Sequence, residues 1–252
     1  MKKVIGFVIS LLVCLFVLAG CSCNHVWTGP DCVTAKTCAE CQATEGEPLG
    51  HTPGAWNESI NLVTCSVFKE QFCTICNAPI ASETVPLSSL IQDDLFIFTP
   101  NAFMERLTLI AEQHSDSFSF EFIPNGVGLQ VMVDSHGKQS LIQFFHRDTT
   151  ALDAGETNST EVWCVSLIAI GESDADFRHY FIMACDPTLD KESAFASDMI
   201  LATAFLNAVA SGDSFGYHQQ NGLLYEHSYI AESALGQDYS MDMVNIYASD
   251  YR

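Results

Sequence analysis

Two Cys-x-x-Cys pairs, Cys38-Ala39-Glu40-Cys41 and Cys73-Thr74-Ile75-Cys76, are each preceded by a lone cysteine (Cys32 or Cys65) and by a histidine near a tryptophan (His25 with Trp27, His51 with Trp56). Two thiolates three residues apart on a tight turn can face one ion, and a third cysteine with a histidine completes a tetrahedral shell. Treating the two units alike assigns His25, Cys32, Cys38 and Cys41 to one metal site and His51, Cys65, Cys73 and Cys76 to the other, with Cys23 left over. A second register closes the first shell with His51 instead of His25. Zinc is the ion this donor set expects, in a structural role, because four protein ligands leave no open position for a substrate. The competing reading is a disulfide framework. A bond within Cys-x-x-Cys would close a small, strained loop, however, and a histidine at a repeated position has no role in such a framework.

The whole pattern is an internal repeat of two units. It runs Cys23-Asn24-His25-Val26-Trp27, Cys32, Cys38 to Cys41 and Gly50-His51, then His51-Thr52-Pro53-Gly54-Ala55-Trp56, Cys65, Cys73 to Cys76 and Glu83-Thr84-Val85-Pro86. In this it resembles the tandem cysteine-histidine repeats, zinc-ribbon-like and without an established activity, found in surface and secreted proteins of Gram-positive gut bacteria. The chain departs from that pattern at Gln42 and Asn77, where a glycine commonly follows the second cysteine, and in lacking a Gly-His after Pro86. Asparagine tolerates the left-handed backbone such a knuckle needs, and glutamine does so poorly.

At the N-terminus Lys2-Lys3 is followed by an apolar run from Val4 and by Leu18-Ala19-Gly20-Cys21. A charged start, an apolar stretch short for a membrane span and small residues before a cysteine resemble a bacterial lipoprotein signal with its lipobox. The resemblance implies a signal peptide over 1–20, a diacylglyceryl group on the Cys21 sulfur, a further acyl chain such as palmitate on the new amino end, and a place on the extracytoplasmic face of the cell membrane. Two or three acyl chains suffice for stable anchoring. An ordinary signal peptide or an N-terminal membrane anchor is the plainer alternative.

Composition limits what the exported part can do. The formal charge is −21, and losing Lys2 and Lys3 with the signal makes the mature chain more acidic still. Such a field repels nucleic acid, which is excluded as a partner, and leaves cations, cationic peptides and neutral ligands admissible. Seven of the eleven cysteines lie between Cys23 and Cys76, and beyond them only Cys164 and Cys185. That asymmetry divides the chain into a lipid-anchored Cys/His segment, 21–86, too poor in apolar periodicity to order itself without staples, and a domain over 87–252.

The elements of 87–252 are expected to be α+β. Thr99-Pro100 starts a helix that carries Phe103, Leu107, Ile110 and Ala111 on one stripe and stops near His114. Strands follow over Phe118 to Phe122 and Leu129 to Val133 about a Pro124-Asn125-Gly126 turn, and from Leu141 to His146 after Ser135-His136-Gly137-Lys138. After a loop from Asp148 to Thr160, Val162 to Ile170 and Phe177 to Ala184, apolar on both faces, read as adjacent central strands. A second helix places Phe195, Met199, Ala202, Phe205, Leu206 and Val209 on its core face and ends near Gly212, and Leu223 to Ala231 and Met241 to Tyr247 close the domain. The expected architecture is thus a Cys/His module followed by a mainly antiparallel sheet with two helices on one face, in the outline of a duplicated helix-plus-sheet unit.

No nucleophile elbow, phosphate loop, His-Glu-x-x-His helix or calcium loop occurs among these residues, so no catalytic residue is assigned. A Cys164 and His179 pair would need an exposed thiol, and Trp163 and Val165 argue for burial. The leading expectation is a non-enzymatic surface lipoprotein that holds an α+β domain outward, on a zinc-stapled spacer, to bind a ligand or protein. The alternatives are an extracytoplasmic hydrolase of cell-wall or peptide substrates and metal buffering by the repeats. A pocket gathering two histidines with acids would favour the hydrolase, and an apolar sheet face would favour binding.

Overall fold

The computed structural model describes residues 23–125, 128–147, 161–172, 174–234 and 237–249. The signal, Cys21, Gly126 and the loop 148–160 lie outside the described residues. The chain divides into two compact units, one made of the described residues up to Glu58 with Lys69–Glu83, the other of Ser59–Phe68 with the chain from Thr84 onward. Residues 59–68, which the sequence places in the cysteine-rich segment, thus belong with the larger unit.

Short strands serve the first unit: β1 (Trp27–Thr28), β2 (Lys36–Cys38) and β3 (Thr44–Glu45) form one antiparallel sheet. Strands β4 (Pro53–Asn61), β5 (Ser66–Cys73) and β6 (Pro79–Pro86) form another, in that order. Lys69 on β5 pairs with Glu58 on β4 at 2.7 Å. Gly54 lies so close to its neighbours that a Cβ there would meet the Phe72 carbonyl oxygen at 2.9 Å.

The larger unit is built on an antiparallel sheet that also takes in the short β7 (Ile91–Gln92) and β8 (Leu95–Phe96). Its long strands are β9 (Ser119–Asn125), β10 (Gly128–Ser135), β11 (Lys138–His146), β12 (Val162–Ile170), β13 (Phe215–Gln220), β14 (Leu223–Ala234) and β15 (Gln237–Tyr247), in the spatial order β13-β14-β15-β12-β11-β10-β9. Two tight turns set the register. His136-Gly137 and Asn221-Gly222 both have positive φ at both residues and join Ser135 to Lys138 and Gln220 to Leu223, as two-residue hairpin turns require.

Three helices, not two, pack on the sheet face that carries Val131, Ile142, Phe144, Val165, Leu167, Val244 and Ile246. Helix α1 (Pro100–Gln113) begins where the Thr99 hydroxyl accepts from the Ala102 N–H, as its sequence expects. Helix α2 (Ala175–Cys185) replaces the expected strand over Phe177 to Ala184. An apolar run without period fits either structure, and here Asp174 decides the outcome by capping the Asp176 and Phe177 N–H groups. Phe177 and every residue from His179 to Cys185 are buried. Arg106 on α1, itself buried, donates to the Met183 and Ala184 carbonyls at the C-terminal end of α2 and to the Val63 carbonyl, where the helix dipole favours a cation.

Helix α3 (Lys191–Ser211) reverses its expected orientation. Phe195, Met199, Leu206 and Val209 are exposed, and the buried positions are Ala194, Ser197, Asp198 and Leu201. Two features seat it this way. At Gly216 on β13 the backbones come together so closely that any Cβ would overlap Ala204 and Phe205 of α3. Asp198 joins a chain of charges in which Arg178 bonds Asp198 at 2.9 Å and Asp242 at 2.7 Å, with His179 and His227 on the outer sides of the two carboxylates. Burial works against the Asp198 carboxylate, but His179 and Arg178 outweigh it and hold its pKa below the usual range.

Gly216→Ala is expected to destabilise the larger unit by about 1–3 kcal/mol, the usual cost of forcing a methyl into a filled contact. Thermal unfolding followed by near-UV circular dichroism measures it, and an unchanged melt would mean that α3 does not pack on β13 in this way.

Candidate metal centres and an open sheet face

Each Cys-x-x-Cys is the turn of a hairpin, and the two turns have the same hydrogen bonds. Cys38 N–H donates to the Ala43 carbonyl and Gln42 N–H to the Cys38 carbonyl, as Cys73 N–H does to Ala78 and Asn77 N–H to Cys73. Gln42 and Asn77 take φ of 58° and 56°, so both adopt the left-handed conformation that glycine would take without cost. The knuckle forms in either unit, with some strain expected at Gln42.

Two groups of ligand atoms result. Cys23, His25, Cys38 and Cys41 bring their sulfurs and one ring nitrogen within 4.8 Å of one another, and so do Cys32, His51, Cys73 and Cys76. In the first group the Cys23 and Cys38 sulfurs are 3.6 Å apart and the Cys41 sulfur is 3.4 Å from His25 Nδ1. In the second, the Cys32 and Cys73 sulfurs are 3.6 Å apart and the Cys76 sulfur is 3.4 Å from His51 Nδ1. Each group can hold one metal ion. All nine described cysteines are free thiols.

Six of the eight expected ligands fall in the group foreseen for them, and two do not. Cys32 belongs to the second group, and its place in the first is taken by Cys23, the residue left over in sequence. Cys65 belongs to neither. Strand β5 separates it from Cys73 by eight extended residues, about 26 Å of chain, so the two cannot share an ion. Cys65 lies instead in the core of the larger unit, where burial pushes its thiol pKa up. In the first unit Cys32 is carried by a turn in which the Asp31 carboxylate accepts from the Val33 and Thr34 N–H groups, and the Asp31 carbonyl accepts from Leu49 N–H.

The same division of labour holds within each group. The first cysteine of each knuckle has its pKa lowered, Cys38 to about 6 and Cys73 to about 5, foremost by the N–H of the second knuckle cysteine aimed at its sulfur. The distant cysteine is the reverse: burial raises Cys23 and Cys32 to about 12. His25 is steadied by stacking on Trp27 at 4.9 Å, and Lys36 lies over the same indole at 4.9 Å.

The larger unit offers a different kind of site. On the sheet face opposite the helices, Gln143, Phe145, Trp163, Cys164, Ser166, Ile168, Met243, Asn245 and Tyr247 line a concavity of about 280 Å³. A register shift at Phe145/His146 places Trp163 beside Cys164 on this face, and Phe145, Trp163 and Tyr247 form an aromatic row across β11, β12 and β15. Beneath it runs a polar ladder: Ser166 bonds Asn245, Asn245 donates to Glu226 at 2.6 Å, and the Tyr247 hydroxyl donates to the same carboxylate oxygen at 3.2 Å. Burial holds the Cys164 and Cys185 thiols protonated, with pKa values well above the ordinary range. Cys185 ends α2, and His179 bonds Asp198, not Cys164.

Metal content separates the two ligand assignments. Cys65→Ala should leave the number of bound ions per chain unchanged, whereas Cys23→Ser and Cys32→Ser should each remove one. Atomic emission on the purified variants reads this directly. Loss of an ion in the Cys65 variant, with none lost on changing Cys23, would restore the assignment by repeat.

Comparison with protein-family models, with curated proteins and with solved structures gives no match, so the functional argument rests on the geometry of these sites.

Proposed function

We propose that the protein is a membrane-anchored surface lipoprotein. Cys21 carries the lipid, two zinc ions staple the Cys/His segment as zinc-ribbon-like units, and the α+β domain binds a neutral or cationic ligand on its open sheet face. The zinc reading is supported by the ligand spacing. A tetrahedral shell with Zn–S of about 2.3 Å and Zn–N of about 2.0–2.1 Å has sulfur–sulfur edges of about 3.8 Å and sulfur–nitrogen edges of about 3.6 Å. The 3.6 Å and 3.4 Å separations at both groups lie close to these edges. They are far from the ~2.05 Å of a disulfide. Zinc held there supplies folding energy to a segment with little core of its own.

The observation that carries the binding reading is the aromatic row over the Ser166–Asn245–Glu226 ladder. Half-buried rings provide contact area and fixed polar groups provide direction, the combination found in small-ligand sites. The concavity contains no histidine. The groove that does, lined by His227 and Asp242, brings in a single histidine already tied to Arg178 through Asp242. By the criterion of two histidines gathered with acids, the hydrolase reading has less support.

Two measurements test the proposal. Cys21→Ser should move the protein from the membrane fraction to the soluble one; full retention in membranes would remove the anchor. Immobilised mature chain, incubated with envelope extract, should retain a component that Gln143→Lys loses, because the lysine fills the concavity without touching the core. Equal retention by both would place binding elsewhere.

A further inference from the structure

The seam left open on α3 has a regular spacing. Phe195, Met199, Ala202, Leu206 and Val209 follow one another at intervals of four, three, four and three residues, the spacing by which one helix packs along another. Phe195 is 51%, Met199 52%, Leu206 67% and Val209 50% exposed, in a helix whose buried side is largely small or polar. Tyr229, 50% exposed, extends the patch across a groove of about 400 Å³ lined also by Ala202, Phe205 and Leu206. Together these residues expose roughly 600 Å², at the upper end of the largest patch on a solitary soluble domain and somewhat below the ~800 Å² per partner of a standard interface.

We infer that this face is a self-association surface, on which α3 packs antiparallel against α3 of a second copy about a twofold axis at Ala202. Three observations select that occupant. The stripe is graded: Phe195 is bulky, Val209 small and Ala202 smallest at the middle. An antiparallel pair sets Phe195 against Val209 of the second copy, and Met199 near its Leu206, so that large meets small, and the two backbones approach at alanine. A parallel pair would set Phe195 on Phe195 and leave a gap at Val209.

The patch also carries both a projection and a recess. The groove beside Ala202 and Leu206, whose lining also includes the mutually paired Arg178, His227 and Asp242, would be the recess for Met199 of the second copy, as an isologous contact requires. Finally, the charges of α3 are Lys191, Glu192 and Asp198, and none follows in its last thirteen residues. In a chain of −21, this is where a second equally acidic chain meets least repulsion. By length and composition alone α3 could cross a membrane. A surface helix that binds lipid, however, carries Lys or Arg along its polar side, and here that side is Ser197 and Asp198, held against the domain.

Mature chain carrying Cys21→Ser, with zinc present, should sediment as a concentration-dependent dimer. Its affinity should rise with sodium chloride, because salt screens the repulsion between two acidic chains while leaving the apolar seam intact. Leu206→Glu should weaken dimerisation by on the order of 100-fold. At dilutions where the parent chain is monomeric it should leave the melting temperature unchanged, since that side chain is mostly in solvent in the monomer. Ala202→Cys should give a disulfide-linked dimer under mild oxidation, and Thr203→Cys should not. A chain that stays monomeric at all concentrations and salts would overturn the inference. So would a dimer that Leu206→Glu leaves intact, or a monomer that floats with phosphatidylcholine vesicles through Leu206.

Discussion

The sulfur of Cys32 lies 3.6 Å from that of Cys73, across 41 residues of sequence, and this one contact interleaves the two ligand groups of the first unit. Cys32 sits in the loop that runs from His25 to Cys38, so a ligand of the second group is carried inside the chain closed by the first. In chain order the donors read first, first, second, first, first, second, second, second. Two separate knuckles would each order a short loop and leave the segment between them free. With an ion in each group, interleaving would make the stretch from Cys23 to Cys76 one cross-linked piece, in which fixing either ion would shorten the loop the other must close. The small strands β1 to β3 could not do this alone, since none exceeds three residues.

The larger unit solves a different problem, that of seating a long apolar helix by its least apolar side. Burying Asp198 beside a sheet is costly unless it is paired, and Arg178 with His179 pairs it. The pairing then fixes the rotation of α3 about its axis, because Asp198 has to point at Arg178. Gly216 fixes its distance from β13. With rotation and distance set, the stripe from Phe195 to Val209 has nowhere to go but outward. The charge network therefore specifies an orientation that the hydrophobic effect alone would have reversed.

Much of this was legible in the residues, and the failures have physical causes. The knuckles were readable because their geometry is local: three residues fix which way two sulfurs point. Shell membership was not, because it depends on how long the strand before each knuckle is, and β5 is eight residues where β2 is three. The helix α1, the strands β10, β11, β12, β14 and β15 and the turn at His136-Gly137 follow from caps, alternation and turn residues. Strand β13 was missed although Asn221-Gly222 marks its hairpin. Helix α2 read as a strand because residues buried on all sides carry no period. For α3 the period was right and the face wrong: periodicity shows that a stripe exists, and only its neighbours show what it faces. On the open sheet face, Trp163 is turned outward by a one-residue irregularity that alternation does not announce.

The two surfaces left apolar differ in a way that bears on their use. On the sheet face the rings are interleaved with Gln143, Ser166 and Asn245, and the bond between Ser166 and Asn245, with that from Asn245 to Glu226, fixes those two in place. A ligand there meets directional groups that cost nothing further to order, which is a means of selection. The α3 seam has no such groups, only side chains of graded size with alanine at the centre, and size complementarity selects a shape rather than a chemistry. Self-association on the helix side would leave the sheet side of each copy unobstructed, because the helices and the concavity lie on opposite faces of one sheet. Two copies joined through α3 would thus present two ligand surfaces facing away from each other, and avidity toward a repeated target would follow from the arrangement without any contact between the sites.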